Sequence, residues 1–494
     1  MSKTPMHSFE RAPARSSTPM IDICAIVSIS ACVYTSIVSP LMSITFSSEQ
    51  TLLGLAESRP ENRIFWPALA AISLVLAVRN RSRLSLPPNI ICLLAYLAFA
   101  GASVLWAFRP ELSFIRFTQQ VMILTSIVLP AMLAVRTADM MRALFLCFAF
   151  ASILNVFFVQ GRPLSAGNNE NFGYAGYFAD KNSLGQVAAI AFLLALHEMI
   201  YPGRRRALGI IIVVIATLLL FLSNSKTSLG LAICAPFLAG LTLIIGRRMR
   251  ISSATVLLFI LFCYDLLSSV SGFNMNRVSY MLYNNPDFSG RIYIWDFVQR
   301  EIARRPFLGW GYQSFWLVGP DGPSIVDGSG WIEIMPHAHN GYLDVRLETG
   351  LVGFALFVSF IITTLYAIGR VADRNPVRAW IVLPLALFVI FDNFLETVWM
   401  RGSSFLWVVF VIVAAEAGRY SRPFLPTRAA YGSRTPRPGG LGLSRGLRPL
   451  DSHKIRPLEA ETLSDVRTPV ASGCAPHRPR RAPPLRAGRP EPDR

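Results

Sequence analysis

The chain has 494 residues, 53% of them hydrophobic and only 15% charged, with a mean hydropathy of +0.45. A soluble domain carries about a quarter charged residues, so a soluble globular protein is excluded, and so is disorder over most of the length. The formal charge of +18 does not indicate a nucleic-acid partner, because the basic residues lie between long apolar runs and not among exposed aromatics on a soluble fold.

A membrane-spanning helix needs about 20 mostly apolar residues. Twelve runs qualify as candidates: roughly 21–46, 64–78, 89–108, 114–135, 140–160, 183–201, 207–222, 228–246, 254–273, 343–369, 379–398 and 403–418. The second and seventh are short and are expected to extend into their flanks. The first run follows Lys3, Arg11 and Arg15. It is too long for the apolar core of a signal peptide and reads as a helix that stays in the membrane. Pro40, Pro67, Pro130, Pro236 and Pro384 fall within runs, where neighbouring helices can satisfy the carbonyls they free.

With the N-terminus inside, the short inner loops carry Arg79/Arg81/Arg83, Arg136/Arg142, Arg204/Arg205/Arg206, Arg247/Arg248/Arg250 and Arg370/Arg374/Arg378. The outer loops are longer and sparser in Lys/Arg, which places both termini in the cytoplasm. The expected fold is therefore all-α and polytopic. It has an N-terminal segment 1–20, nine helices over 21–273, one large outer loop over 274–342 between helices nine and ten, three more helices over 343–418, and a tail over 419–494.

The outer loop contains a credible amphipathic helix. Ser289 can cap it, Ile292, Trp295, Val298 and Ile302 form one stripe, and Asp296/Arg300 and Glu301/Arg305 are spaced as i,i+4 pairs. Pro306 ends it. Such a helix suits a membrane surface or the roof of a cavity. The segment 161–182 is polar and rich in Gly and Asn. The tail holds 16 Lys/Arg against 6 Asp/Glu and is rich in Pro, Arg and Gly, a composition expected to be disordered and able to touch anionic lipid. Six cysteines lie in apolar runs and Cys474 in the tail, with no CxxC pair. Neither a disulfide framework nor structural zinc is expected.

The strongest local signal is His339-Asn340, then nine residues, then Gly350-Leu351-Val352-Gly353. With His337 to Leu343 (HAHNGYL) running into Glu348-Thr349-Gly350, it resembles the superfamily of bacterial O-antigen ligases and O-antigen polymerases. The resemblance is nearest to the branch that polymerises exopolysaccharide repeat units. Three further landmarks occur in the same order: Phe178–Gly185 (FADKNSLG), Ser223–Thr227 (SNSKT), and Ser289-Gly290-Arg291 with Trp295, Pro306 and Gly309-Trp310-Gly311. The resemblance covers roughly residues 20–418.

The resemblance implies a glycosyl transfer at the outer, periplasmic face of the bacterial inner membrane. The donor is an undecaprenyl-pyrophosphate-linked oligosaccharide. The acceptor is another lipid-linked unit for a polymerase, or a lipid core for a ligase. No cofactor, metal or nucleotide sugar is required; a chain-length regulator and a flippase are plausible companions. The residues suit that chemistry. An imidazole can take the acceptor's proton at neutral pH, and His339 is the candidate; otherwise it caps a loop-to-helix junction. Arg291, in the first turn of the outer helix, can grip pyrophosphate; otherwise it is a surface arginine. Lys226 stands where the family usually has arginine and keeps the charge without the fork; a snorkelling lysine is the plain alternative.

Asp180, Lys181 and Asn182 either bind substrate or cap the sixth helix, and Asp180 stands where relatives often carry histidine. Asn340 and His337 join the substrate-binding candidates. Glu348, Arg116 and Glu396 are further candidates, and Asp344, like Glu348, can serve as a structural hydrogen-bond partner. Arg116, Asp265, Asp392 and Glu396 lie in or beside membrane runs, where ionisable groups usually face a cavity or a partner. Asp392 and Glu396 are expected to share a helix face and could pair with Lys226 or Arg291.

Two other classes compete with the enzyme. A transporter or flippase also suits twelve helices, but it needs polar side chains through the midplane and usually a hydropathy repeat, which the sequence lacks. A scaffold would tolerate loss of His339.

Overall fold

The computed structural model describes residues 23–44, 60–134, 137–161, 173–201, 203, 205–271, 290–402 and 404–420. The tail beyond 420, Ser289 and the side chain of Asp265 lie outside the described residues. All regular structure among the described residues is helical.

Each of the twelve apolar runs contains a helix among the described residues. These helices are α1 (Ile23–Ser43), α2 (Pro60–Arg79), α3 (Pro88–Ala102), α4 (Pro110–Leu133), α5 (Thr137–Gly161), α6 (Lys181–Ile200), α7 (Arg206–Ser223), α8 (Lys226–Met249) and α9 (Ser253–Ser271). After the outer helix α10 (Arg291–Arg304) come α11 (Gly341–Arg374), α12 (Pro376–Asp392) and α13 (Phe405–Tyr420). Nine of the described helices are long and apolar enough to cross a membrane. The short second and seventh runs do extend into their flanks. The chain is a multi-pass membrane protein.

Burial follows sequence in the way a bilayer demands. On α7 the stripe Ile212, Ala216, Leu219 and Leu220 is buried, while Ile211, Val214, Leu218 and Phe221 on the other side are exposed. Apolar residues on both faces mean protein on one side and lipid on the other. By contrast α13 is buried all round, from Phe405 to Ala417, and packs against α11, α4, α12 and α3. It is the central post of the bundle.

Two expectations need correction. The run 379–398 is not one helix: α12 stops at Asp392. Asn393 Oδ1 accepts the N–H groups of Val398 and Trp399, turning the chain back, so Glu396 sits on a loop and not on a helix face shared with Asp392. The outer helix is also rotated from the expected stripe. Its buried residues are Ile294, Phe297, Val298, Glu301 and Ile302, because they cover a small core with Trp310, Phe315, Trp316, Ile332, Ala338 and Leu347. Its N-cap is Gly290, without a side-chain cap bond. Glu301 pairs with Arg304 at i,i+3 (3.0 Å), while Arg305 lies over the Trp310 ring.

The helix α11 is broken at Gly350, whose φ of 62° and ψ of −165° are non-helical. The break admits the segment 306–311. Leu351 and Val352 donate to the Pro306 and Phe307 carbonyls, while Trp310 and Gly311 donate to the carbonyls of Leu347 and Glu348. A Cβ at Gly350 would meet the Phe307 carbonyl at 2.3 Å. This accounts for the Gly of the His-Asn-x9-Gly pattern, since that backbone region is accessible essentially to glycine alone.

Gly350→Ala therefore meets both backbone strain of about 1–3 kcal/mol and a backbone clash. The purified variant is expected to lose that much stability or more, seen as a lower melting temperature in detergent; an unchanged melting temperature would contradict the docked break.

Candidate active site

One cavity of about 590 Å³ opens at a single end of the bundle, the end expected to be the outer face. Its walls come from the C-terminal part of α1 (Thr35, Ser39), the N-terminus of α2 (Asn62), α4 (Arg116, Gln119), the start of α6 (Asp180, Asn182, Gln186), the segment before α11 (His337, His339) and the loop between α12 and α13 (Glu396, Arg401). Amides and hydroxyls dominate, with Phe178, Trp316 and Phe405 as aromatic faces. Such lining suits sugar hydroxyls and ring faces.

Glu396 is the hub. Its Oε1 accepts from Arg291 Nη2 (2.5 Å) and Asn182 Nδ2 (3.0 Å), and its Oε2 lies 3.3 Å from His339 Nδ1. An ionised carboxylate only accepts, so in the neutral imidazole this contact puts the proton on Nδ1 and the lone pair on Nε2. Fixing the tautomer of a base in this way is the logic of hydrolase triads. The residues brought together are thus His339, Arg291, Asn182 and Glu396. The pairing of Glu396 with Arg291 was among those the sequence allowed, whereas Asp392 accepts from Gln186 Nε2 instead (2.9 Å).

The His339 backbone is in the left-handed region, φ 49°, a conformation a non-glycine residue holds only when its surroundings impose it. Here they do. Ala338 N–H donates to Asp344 (Oδ2, 3.1 Å), His339 N–H to His337 Nδ1 (3.2 Å), Asn340 N–H to Thr397 Oγ1 (3.1 Å), and Gly341 N–H to the carbonyls of Asn393 and Glu396 (2.9 and 3.0 Å). Trp295 Nε1 holds the Ala338 carbonyl from α10 (3.0 Å). Asp344 also accepts from Trp316 Nε1 and Thr397 Oγ1, so it fastens the His339 segment without lining the cavity.

Other sequence candidates take different places. Asn340 caps α11, its Oδ1 accepting from Tyr342 and Leu343 N–H at 3.1 Å each, and it does not line the cavity. Asp180 both caps α6, through Ser183 N–H and Oγ, and lines the cavity. Although open to the cavity, Asp180 is ringed by protein; that enclosure, with Glu396 nearby, pushes its carboxyl up from the ordinary range. Lys226 starts α8 with an exposed side chain and lies within electrostatic reach of Lys181. Neither lysine lines the cavity, and neither does Arg291, whose Nη2 is engaged by Glu396. Glu348 does, accepting from Gln313 N–H (3.1 Å) and from Arg401 Nη2 (2.9 Å).

Arg401 was not singled out from sequence. It follows the apolar string Val398-Trp399-Met400 and read as a loop residue between two spans. Its signal was a lone arginine in a short loop expected on the outer side, where arginine is disfavoured.

The landmark strings interlock at this end. Asn182 Oδ1 accepts from Ser225 Oγ (3.2 Å), and a Cβ at Gly185 would meet Ser225 Cβ at 2.7 Å. The strings 178–185 and 223–227 therefore place Asn182 against Glu396. Residues 211–358 match the O-antigen ligase family profile. Over that span the chain is similar to O-antigen ligases. It is similar to the "Putative polysaccharide ligase" of Rickettsia bellii (strain RML369-C), 28% identical over 34% of this chain and 41% of that protein. It is also similar to the exopolysaccharide production protein ExoQ of Rhizobium meliloti (strain 1021), 24% identical over 57% of this chain and 66% of that protein. A shorter match, 30% identical over 19% of this chain and 23% of the relative, is to the polysaccharide ligase RC0486, likewise named as putative, of Rickettsia conorii. The matched region thus spans about two-fifths or less of the Rickettsia relatives' length.

Two outcomes follow from this geometry. In Asp344→Asn an amide nitrogen would confront donors, so the His339 segment loosens; we expect a stability loss of about 1–3 kcal/mol, read as a lower melting temperature with reduced activity. For His337, burial first, then His339, Arg401 and Arg291, push the imidazole well below its ordinary 6.5. The unfolded chain then takes up a proton below about pH 6.5 that the folded chain refuses. Stability from this group is complete above that pH and falls on acidification, by up to about 1.4 kcal/mol per pH unit. His337→Asn, which keeps an acceptor for His339 N–H, is expected to lose less melting temperature than the parent between pH 7.5 and 5.5; equal losses would contradict the assignment.

Proposed function

We propose that the chain is a membrane glycosyltransferase that joins undecaprenyl-pyrophosphate-linked oligosaccharide repeat units into exopolysaccharide or O-antigen at the periplasmic face of a bacterial inner membrane. The observation that carries this reading is the His339–Glu396 pair on the wall of a polar, aromatic-edged cavity. The acceptor hydroxyl gives its proton to His339 Nε2 while its oxygen attacks the donor's anomeric carbon. The bond from that carbon to the pyrophosphate oxygen breaks, and the lipid pyrophosphate leaves with the electron pair. Glu396 orients the imidazole and offsets the charge it gains. Arg291, held by the same carboxylate, adds positive charge beside the departing anion. The reaction as written uses no metal or cofactor. A flippase would supply the substrates and a chain-length regulator would act on the product.

A ligase runs the same chemistry with a different acceptor, and the names of the Rickettsia relatives favour that second reading. A transporter is disfavoured by the cavity lining, which comes from one end of the bundle and not from a path through the midplane.

The test is the lipid-linked sugar pool and polymer size in cells carrying His339→Ala at matched protein level. We expect transfer to fall about 10²–10⁴-fold, with single lipid-linked repeat units accumulating. Long chains stalled on the carrier would support the ligase reading. Normal polymer yield and length would overturn the role of His339.

A further inference from the structure

The cations expected at the pyrophosphate, Arg291 and Lys226, do not line the cavity; among the described residues the arginines that do are Arg116 and Arg401. Both are oriented by a continuous polar network. Arg116 Nη1 donates to the Gln313 carbonyl (2.5 Å), Gln313 N–H donates to Glu348 Oε2 (3.1 Å), and Glu348 Oε1 accepts from Arg401 Nη2 (2.9 Å). Asp344 lies 3.7 Å from the same Nη2. Only that nitrogen of Arg401 is taken. Its Nε and Nη1 make no hydrogen bond among the described residues, although the side chain is only 21% exposed. Arg116 and Arg401 are close enough for each to feel the other's charge.

Two like charges beside one cavity, with the Nε and Nη1 donors of Arg401 held ready and its Nη2 backed by Glu348, are arranged for an incoming oxyanion. Arg116 and its neighbour Gln119, three residues along the same helix, face that space together.

We propose that Arg116 and Arg401 form a second anion subsite in the cavity, separate from the Arg291–Glu396–His339 group, that binds a substrate oxyanion. This rests on the glycosyl-transfer reading, in which the donor and the acceptor of a polymerase each carry a pyrophosphate. One anion lies at the breaking bond near Arg291, and the second needs its own cations. The oxyanion is either that second pyrophosphate or a carboxylate on a sugar of the chain. Arg116 and Arg401 bind it in both cases.

The test is probe binding by the purified full-length protein, which requires no turnover and so stands apart from the cellular polymer assay. Arg291→Gln removes the cation paired with Glu396. Inorganic pyrophosphate and glucuronate are then titrated against Arg291→Gln and against Arg291→Gln carrying Arg116→Gln, with melting temperature as the readout. We expect one probe to stabilise Arg291→Gln and to bind the double variant roughly tenfold or more weakly. Stabilisation by pyrophosphate identifies the carrier group as the source; stabilisation by glucuronate alone identifies an acidic sugar. Should Arg116→Gln fold poorly, Gln119→Glu places a carboxylate beside the intact Arg116 and is expected to weaken the same probe by a similar factor. The proposal is overturned if neither probe stabilises Arg291→Gln, or if the Arg116 and Gln119 variants bind as tightly as their parent.

Discussion

The site depends on a clamp between two pieces of backbone. The segment 338–341 is hydrogen-bonded to the turn 393–397 through Asn340 to Thr397 and through Gly341 to the Asn393 and Glu396 carbonyls. That clamp brings His339 and Glu396 into register, although 57 residues separate them. It also supports a left-handed backbone at His339 that would otherwise relax. Everything else at this end braces one side or the other. Asp344 and Trp295 brace the segment, Asn393 braces the turn, and Arg291 and Asn182 brace the carboxylate.

The bundle supplies rigidity under this clamp. A fully buried α13 and the break in α11 at Gly350 fix where the two loops emerge. The outer segment 306–311 closes the break, so backbone groups freed by the missing helical turn are satisfied within the protein, as a membrane-embedded chain requires. The small core under α10 then carries Arg291 to Glu396. Order runs from helix packing through loop placement to the tautomer of one imidazole.

Much of this was legible in the sequence because a bilayer writes its demands in hydropathy. Each apolar run contains a helix among the described residues, and the strings around His339, Asn182 and Arg291 marked segments that do meet. What was not legible came from apolar residues that do not form helix. The string around Trp399 and Met400 extends the hydropathy of α12, so the turn at Asn393 was hidden and Arg401 with it. Asn340 was read as a ligand because of its neighbour His339, yet asparagine directly before a helix is an N-cap by its own chemistry. Lys226 and Lys181 carry charge at the expected level of the fold, but which way a side chain turns from a helix start is a matter of packing, not spacing.

The most direct measurement is an experimental structure of the full-length protein with a lipid-linked oligosaccharide substrate bound. The account predicts a sugar hydroxyl in the cavity within about 2.6–3.2 Å of His339 Nε2, with Nδ1 still on Glu396. A sugar seated elsewhere, or a hydroxyl held by another group while His339 turns away, would contradict it.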